Sequence, residues 1–304
     1  MTDCVLTLIA APAAEGRLAA SIDAVTRALA ALGARVGTAD WLDPGIACDL
    51  PCRDLDPDQA DAAARAALGD AAIDLVAQAA TGRRKRLLVA DMEATIIANE
   101  MLEELADFLG LREPVAEITR RAMNGEIDFV AALNERVALL KDLPETVLAT
   151  AGEQIRVTPG AAELVATMRA NGARTALVSG GFGVYTRRIR DELGFDEDIA
   201  NELEIVDGRL TGRVREPIVA REAKLATLTR LAAELSLPLA ATLAVGDGAN
   251  DLAMIEAAGL GVAYHGKPAV AARARARIDH ADLRALLYAQ GYRRDEIVGM
   301  KAAR

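Results

Sequence analysis

Aromatic side chains are scarce, at 3 % of 304 residues, so a core must be built from aliphatic groups, and an apolar fraction of 52 % supplies them. Long hydrophobic runs are missing. None reaches the roughly 20 residues that span a bilayer, and residues 1 to 15 have no cationic start of the kind that opens a secretory signal. Cysteine is limited to Cys4, Cys48 and Cys52, an odd and sparse set that argues against a disulfide framework and fits free thiols in a reducing compartment. Cys48 and Cys52 also lack the two further nearby ligands of a structural zinc site. The only histidines, His265 and His280, stand far from any nucleophile-like serine or cysteine pattern, which argues against a histidine-based triad. Positive charge is in deficit: at a net charge of −10 there is neither a basic face nor a basic stripe for nucleic acid or an anionic membrane. The expectation is a soluble, cytoplasmic protein acting on a small molecule, whose charge a few local cations can match.

What is present divides the chain in two, and 304 residues leave room for two domains. Residues 1–80 are predicted to form a small α+β unit: a strand over 5–10, a helix over 15–32 ending at Gly33, a strand over 35–42, an extended piece over 45–50, a helix over 57–68 and a strand over 73–78. That βαββαβ order is the split-βαβ, ferredoxin-like plan. Twelve Asp and Glu against five Arg give the unit a net charge of −7, leaving −3 for everything else. The stretch "TGRRKR", residues 81–86, reads as a basic linker, a solvated flank guarding the apolar strand behind it.

From residue 87 short apolar runs alternate with helical stretches, the pattern of an α/β fold with a parallel sheet covered on both faces. "LLVAD" (87–91), "RTALVS" (174–179), "TLAVGD" (242–247) and "GLGVAY" (259–264) are the clearest strands. Three of them end in Asp91, Ser179 and Asp247, which should converge, because ligands of open α/β sheets bind beyond the carboxyl ends of the strands. This core, residues 87–97 and 152–304, is interrupted by a helical insertion over 98–151. There Met101, Leu102, Leu105 and Leu109, then Phe129, Leu133, Val137 and Leu140, recur at helical spacing. An insertion at the ligand-bearing edge is placed to act as a lid. A hairpin is predicted over 203–214, turning at Asp207 and Gly208.

The chemistry-bearing residues cluster at these strand ends. Side chains two apart on an extended strand share a face, so Asp91 and Glu93 can address one small site as nucleophile and acid/base. In "VGDGANDLAMIEAAG" (245–259), Gly246 and Gly248 allow a tight turn, and Asp247, Asn250 and Asp251 offer hard oxygen donors of the kind Mg²⁺ prefers. The alternative, that Asn250 or Asp251 merely caps a helix, stays open. "GDGAND" lacks the third glycine of a dinucleotide fingerprint, and "GLGVAYHGKP" has Pro268 where a P-loop needs Ser or Thr. "VSGGF" (178–182) places a hydroxyl and glycine N–H groups at a strand end entering a helix, which favours an anion. Lys224 lies on a helix, where a lysine by itself is ordinarily exposed and idle.

In chain order, Asp91 with Thr95, Ser179 followed by Gly180, Lys224, and Asp247 with Asn250 and Asp251 resemble the motifs of the haloacid dehalogenase superfamily of phosphotransferases, over residues 87 to about 290. The insertion "AMNGEIDFVAALNERVALLKDLP" (122–144) is similar to the cap of the phosphoserine phosphatases within it. The resemblance implies a Rossmann-like core with a helical cap, Mg²⁺ as cofactor, and hydrolysis of O-phospho-L-serine to L-serine and phosphate, the last step of serine synthesis. It implies that Asp91 forms an aspartyl-phosphate and that Glu93 protonates the leaving serine oxygen and then activates water. Mg²⁺ would rest on Asp91, the Glu93 backbone carbonyl and Asp247, with Asn250 and Asp251 supporting or sharing that shell. Ser179, the Gly180 N–H and Lys224 would hold the phosphoryl oxygens. Glu100 would take the substrate ammonium and Arg136 its carboxylate, with Met123 and Phe129 closing over the ligand. Residues 1–80 resemble the ACT-like domains attached to bacterial phosphoserine phosphatases, which implies serine feedback or a homodimer, though those residues carry no ligand signature.

The chain departs from the family at one place. The usual motif is D-x-D-x-T, whereas this chain has Glu93 and Ala94. A glutamate keeps the carboxyl and adds one methylene, and a misplacement of about 1 Å can cost on the order of a hundredfold in rate. Three readings follow: an enzyme with an adjusted cleft, a slow enzyme, or a regulator that binds without turnover. A related phosphatase, or a phosphotransferase passing the group to an acceptor such as homoserine, is the alternative activity.

Overall fold

The computed structural model describes residues 3–11, 16–123 and 126–300. The first strand, β1 (Cys4–Ala10), is buried along its whole length, as its apolar run requires. It is followed by α1 (Leu18–Ala31), β2 (Arg35–Val36), β3 (Asp40–Asp43), β4 (Ala47–Arg53), α2 (Pro57–Leu68) and β5 (Ile73–Ala79). β4 and β5 flank β1, both antiparallel to it, and β2 and β3 pair with the far side of β4. The strand predicted over 35–42 is therefore two short ones, and the extended piece over 45–50 is a seven-residue strand. Gly37 packs on Pro51 and donates its N–H to Pro51 O, and pairing resumes only from Asp40 opposite Asp49.

α1 and α2 cover one face of this sheet, over Leu6, Leu8, Leu50 and Leu75, with the three cysteines buried as free thiols among them. The other face is covered in part, with Pro51 and Arg53 left exposed. Ile9, Leu42, Ala47 and Val76 join the core of the rest of the chain.

That core is a second sheet, and its central strands are apolar on both faces, as a covered parallel sheet requires. It contains β6 (Leu87–Ala90), then, after a run of helices α3 (Met101–Asp107), α4 (Arg112–Met123), α5 (Phe129–Ala138), α6 (Thr146–Gly152) and α7 (Ala161–Ala170), β7 (Arg174–Phe182). α8 (Gly183–Leu193), β8 (Glu197–Val206), β9 (Arg209–Arg215), α9 (Arg221–Glu234), β10 (Thr242–Gly246), α10 (Leu252–Ala257), β11 (Leu260–Tyr264), α11 (Pro268–Ala271), β12 (Ala276–Ile278) and α12 (Ala285–Ala289) complete it. The order is β12-β11-β10-β6-β7-β8-β9, parallel except for β9. Alternate residues of β6 serve opposite faces, Leu88 and Ala90 one cluster, Leu87 and Val89 the other. Chain direction along the sheet reverses between β6 and β10, which makes the crevice beyond their carboxyl ends the expected ligand site.

The helices α3 to α6 stand over that crevice. The two segments that connect them to the core run side by side, with Ala98 N–H on Arg156 O at 2.8 Å and Asn99 Oδ1 accepting from Arg156 N–H at 2.8 Å. The predicted hairpin forms, with Asp207 and Gly208 in left-handed conformations at its turn, and it braces the cap: Asp142 N–H donates to Leu210 O and Leu210 N–H to Leu143 O. Leu133, Val137 and Leu140 are buried as the spacing predicts, but Leu109 is 38 % exposed because α3 stops at Asp107.

Of the run of cations at 83–86, Arg84 and Arg86 are exposed, as a solvated flank requires, whereas Arg83 and Lys85 turn inward. Arg83 pairs with Asp49 and donates to Ala289 O at 3.1 Å, while Arg84 lies 4.2 Å over the Tyr292 ring. Lys85 is 7 % exposed and donates to Gly82 O and Ala240 O. Nearly all of these partners are far away in sequence, so no local pattern announces them.

Candidate active site

β6 ends at Ala90, held in register with β10 by Asp91 N–H on Val245 O at 3.0 Å. The chain then turns irregularly, with Ala94 at φ +52°. A non-glycine residue there costs about 1 kcal/mol, which the surrounding core sustains. Asp91 and Glu93 are thus presented by a turn rather than by a continuing strand, yet both line the same cavity.

The floor is a cluster of buried charge. Asp91, Asp247 and Asp251 each offer a carboxylate oxygen, all within 4.8 Å of one another. Lys224, 2 % exposed, places Nζ 2.8 Å from Asp91 Oδ1 and 2.6 Å from Asp251 Oδ1. Asp251 is held from the other side by Gly248 N–H at 3.0 Å, and Gly246 leaves it room, since a Cβ there would meet the Asp251 carboxyl at 2.3 Å. Burial pushes the Asp91 carboxyl well above its ordinary range, the Asp251 charge adds to this, and Lys224 offsets part of it. Burial likewise raises Asp247, although Lys267 stands 3.4 Å away. For Lys224 burial works against the charge, but Asp91 and Asp251 outweigh it and hold the ammonium above its usual range. Three crowded hard-oxygen donors fit a divalent cation such as Mg²⁺, whose charge would relieve their mutual repulsion.

Ser179 and the glycines after it form the wall beside this floor. Gly181 N–H donates to Ser179 Oγ at 2.9 Å, which leaves the serine proton free to be donated outward. Both following positions fit closely around glycine. A Cβ on Gly180 would lie 3.1 Å from the Phe129 ring, and one on Gly181 would lie 2.8 Å from Glu93 Oε2. Glu93 Oε1 accepts the N–H of Met101, the first residue of the first cap helix, at 2.8 Å. Burial raises its carboxyl, while that N–H and the Arg136 charge pull the other way.

The cap supplies the opposite wall of a cavity of about 740 Å³, lined by Asp91, Glu93, Glu100, Phe129, Arg136, Gly180, Asp247 and Asn250, with Thr119, Arg221 and Lys267 among the others. Arg136 donates through Nε to Ala132 O at 3.1 Å and through Nη1 to Thr119 Oγ1 at 3.3 Å, and among the described residues no carboxylate lies in ion-pair range of it. Burial lowers its pKa, and Glu93 and Glu100 counter this. Glu100 remains open to solvent, but the cleft walls restrict its hydration and the Glu93 and Asp247 charges add to the effect, so its carboxyl is shifted upward.

Residues 88–256 match the sequence profile of the family described as haloacid dehalogenase-like hydrolase. The chain belongs to that family. Among its hydrolase relatives, the phosphoserine phosphatase of Streptomyces coelicolor is 44 % identical over 225 residues, which is 74 % of this chain and 55 % of that one. The phosphoserine phosphatase of Streptococcus thermophilus is 46 % identical over 199 residues, 66 % of this chain and 93 % of that one. The crystal structure of a HAD family hydrolase from Salmonella enterica serovar Typhi superposes with a TM-score of 0.81 at 28 % identity, covering 95 % of this chain and 98 % of that one. The match to the Streptomyces protein thus spans little more than half of that relative's length, so what the whole relative does is not carried over directly.

Set against the motifs of a haloacid dehalogenase-like hydrolase, Ser179, Lys224 and Asp251 are buried beneath the cavity and Thr95 is buried with its hydroxyl unpaired among the described residues. Asn250 faces the cavity, and Met123 ends α4 with a side chain outside the described residues. Sequence reasoning overlooked Thr119, which orients Arg136, Lys267, which flanks Asp247, and Asn201, which lies behind Gly180. Lys267 had a signal in its position just past a strand end; Thr119 and Asn201 had none.

Proposed function

We propose that the protein is a Mg²⁺-dependent phosphatase that hydrolyses O-phospho-L-serine to L-serine and phosphate through an aspartyl-phosphate on Asp91. The observation that carries this reading is the division of one cavity: a buried carboxylate–lysine floor suited to phosphoryl transfer, and a cap wall with Arg136 and Glu100 facing inward. The similarity to proteins named phosphoserine phosphatase supports it.

In this reading a carboxylate oxygen of Asp91 attacks phosphorus as the bond to the serine oxygen breaks, and Glu93 gives its proton to that oxygen. Glu93 then takes a proton from water, whose oxygen attacks phosphorus and restores Asp91. Ser179, the Gly180 N–H and Lys224 neutralise the transferring oxygens, the contribution that dominates phosphoryl transfer. Asp91, Asp247 and the Glu93 carbonyl, with Asp251 in or beside that shell, would hold Mg²⁺, which supplies charge neutralisation when bound. The fork of Arg136 suits a planar carboxylate, and Glu100 suits the ammonium. Raised carboxyl pKa values suit Glu93 to its proton-carrying role.

Phosphate release from phosphoserine, with and without Mg²⁺, tests the reading beside a panel of small phosphomonoesters and with homoserine as acceptor. Phosphoserine should be hydrolysed in preference to the panel and only with the metal. Preference for another monoester, phosphoryl transfer to homoserine, or phosphoserine binding with no turnover would each overturn it in favour of a different activity.

A further inference from the structure

Asn201 lies in β8, 1 % exposed and outside the cavity lining. Its amide is fully engaged. Nδ2 donates to Gly180 O at 2.8 Å and to Val219 O at 3.0 Å, and Oδ1 accepts from Val219 N–H at 2.7 Å. Toward Val219 the side chain behaves as a peptide group would, pairing both the N–H and the C=O of one residue. Val219 leads directly into α9, and Lys224 sits in the first turn of that helix.

The contact to Gly180 has a consequence for Ser179. The Gly180–Gly181 peptide is planar and is held at both ends, its C=O by Asn201 and its N–H by Ser179 Oγ at 2.9 Å. Rotation of that plane would withdraw the donor that keeps the serine proton pointing outward. One side chain therefore ties the turn bearing Ser179 and Gly180 to the segment that starts the Lys224 helix. An amide meets both demands: an aspartate would set oxygens against two carbonyls, and an apolar residue would leave three partly buried backbone groups without these partners.

We infer that Asn201 is a positioning residue that sets the distance and orientation between the Ser179–Gly180 turn and Lys224, the two halves of the phosphoryl-binding site. The role presupposes the phosphoryl-transfer reading but not phosphoserine as the substrate. Asn201 touches neither substrate nor the reacting atoms; it acts through Gly180 and Val219.

The test compares the full-length wild type with Asn201→Asp, which keeps size and loses the donors. kcat and KM for phosphoserine, affinity for orthovanadate in the presence of Mg²⁺, affinity for L-serine and Tm are measured well below the melting range. Asn201→Asp should lower kcat by about 10- to 100-fold, the scale of a misplacement near 1 Å. It should weaken orthovanadate by a similar factor and leave L-serine affinity within about twofold, because the cap wall is untouched. Unchanged kcat and orthovanadate affinity despite a lower Tm would overturn the inference, as would equal weakening of orthovanadate and L-serine. If the wild type released no phosphate from phosphoserine, the substrate reading would fail, and the orthovanadate comparison would still decide the role of Asn201. Should Asn201→Asp not fold, Asn201→Ser carries the same comparison.

Discussion

Two separate groups of buried carboxylates are built on different terms. Where the N-terminal sheet meets the end of the chain, each acid faces donors. Asp74 accepts the N–H groups of Asp279, His280 and Ala281, Asp43 accepts from the Tyr288 hydroxyl and pairs with Arg294, and Asp49 pairs with Arg83. At the ends of β6 and β10, Asp91, Asp247 and Asp251 face one another instead, with Lys224 bonded to two of them. A carboxylate kept for structure is surrounded by hydrogen-bond donors that satisfy it. One kept for chemistry stays crowded and keeps lone pairs in reserve, at a cost in folding stability that its lysine only partly offsets.

That contrast can be broken by substitution. The largest effect should come from Asp91→Asn, which removes the nucleophile and should reduce phosphate release by more than about 10⁴-fold without unfolding the protein. Substantial retained activity would move Asp91 into the structural group. Glu93→Gln should cost about 10² to 10⁴ in kcat, the usual worth of acid–base help. A wild-type rate would mean that the bond from Met101 N–H to Glu93 Oε1 is its whole purpose.

Arg136→Ala sharpens the comparison on the cap side. It should reduce kcat/KM for phosphoserine by about 10²-fold, the cost of leaving a bound carboxylate unpaired, while p-nitrophenyl phosphate changes little. Equal losses would mean that Arg136 does not read a substrate carboxylate. Arg83→Ala should do the reverse. Unfolding by denaturant should report a loss of about 3 kcal/mol, at the lower edge of what breaking a buried pair costs, since the Arg83 side chain is 13 % exposed, and kcat should not move.

The smallest effect concerns pH. Burial and Asp251 lift the Asp91 carboxyl in the metal-free protein, so protons compete with the cation for it. Mg²⁺ affinity, followed by calorimetry, should be flat at alkaline pH, where the carboxyl is ionised, and should weaken as the pH falls through the raised pKa. Metal binding should release protons over the same interval. A pH-independent affinity would mean that Asp91 is already ionised throughout.

Much of the architecture was legible from local pattern. The strands at 87–91, 242–247 and 259–264 are short, apolar and bounded by turns, and a parallel sheet covered on both faces follows from that. Asp91, Ser179 and Asp247 close such runs, so their convergence is a consequence of strand direction. The hairpin turn at Asp207 and Gly208 was equally plain, because left-handed backbone favours those residue types. Local pattern misled where a partner lay elsewhere. The cations at 83–86 looked solvated by composition, yet Arg83, Arg84 and Lys85 reach Asp49, Ala289, Glu296 and Ala240. The strand over 35–42 looked continuous, yet it pairs with β4 as two short pieces, Arg35–Val36 and Asp40–Asp43.

By itself the sequence determined the alternation of strand and helix, the polar residues at the strand ends and the glycines beside them, because these depend on periodicity and on backbone freedom within a few residues. Only the tertiary structure decided that Lys224 is buried between Asp91 and Asp251, that Glu93 reaches the first N–H of the cap, and that Asn201 joins Gly180 to Val219. Burial and charge partnership belong to neighbours in space, and no local spacing encodes which distant segment supplies them.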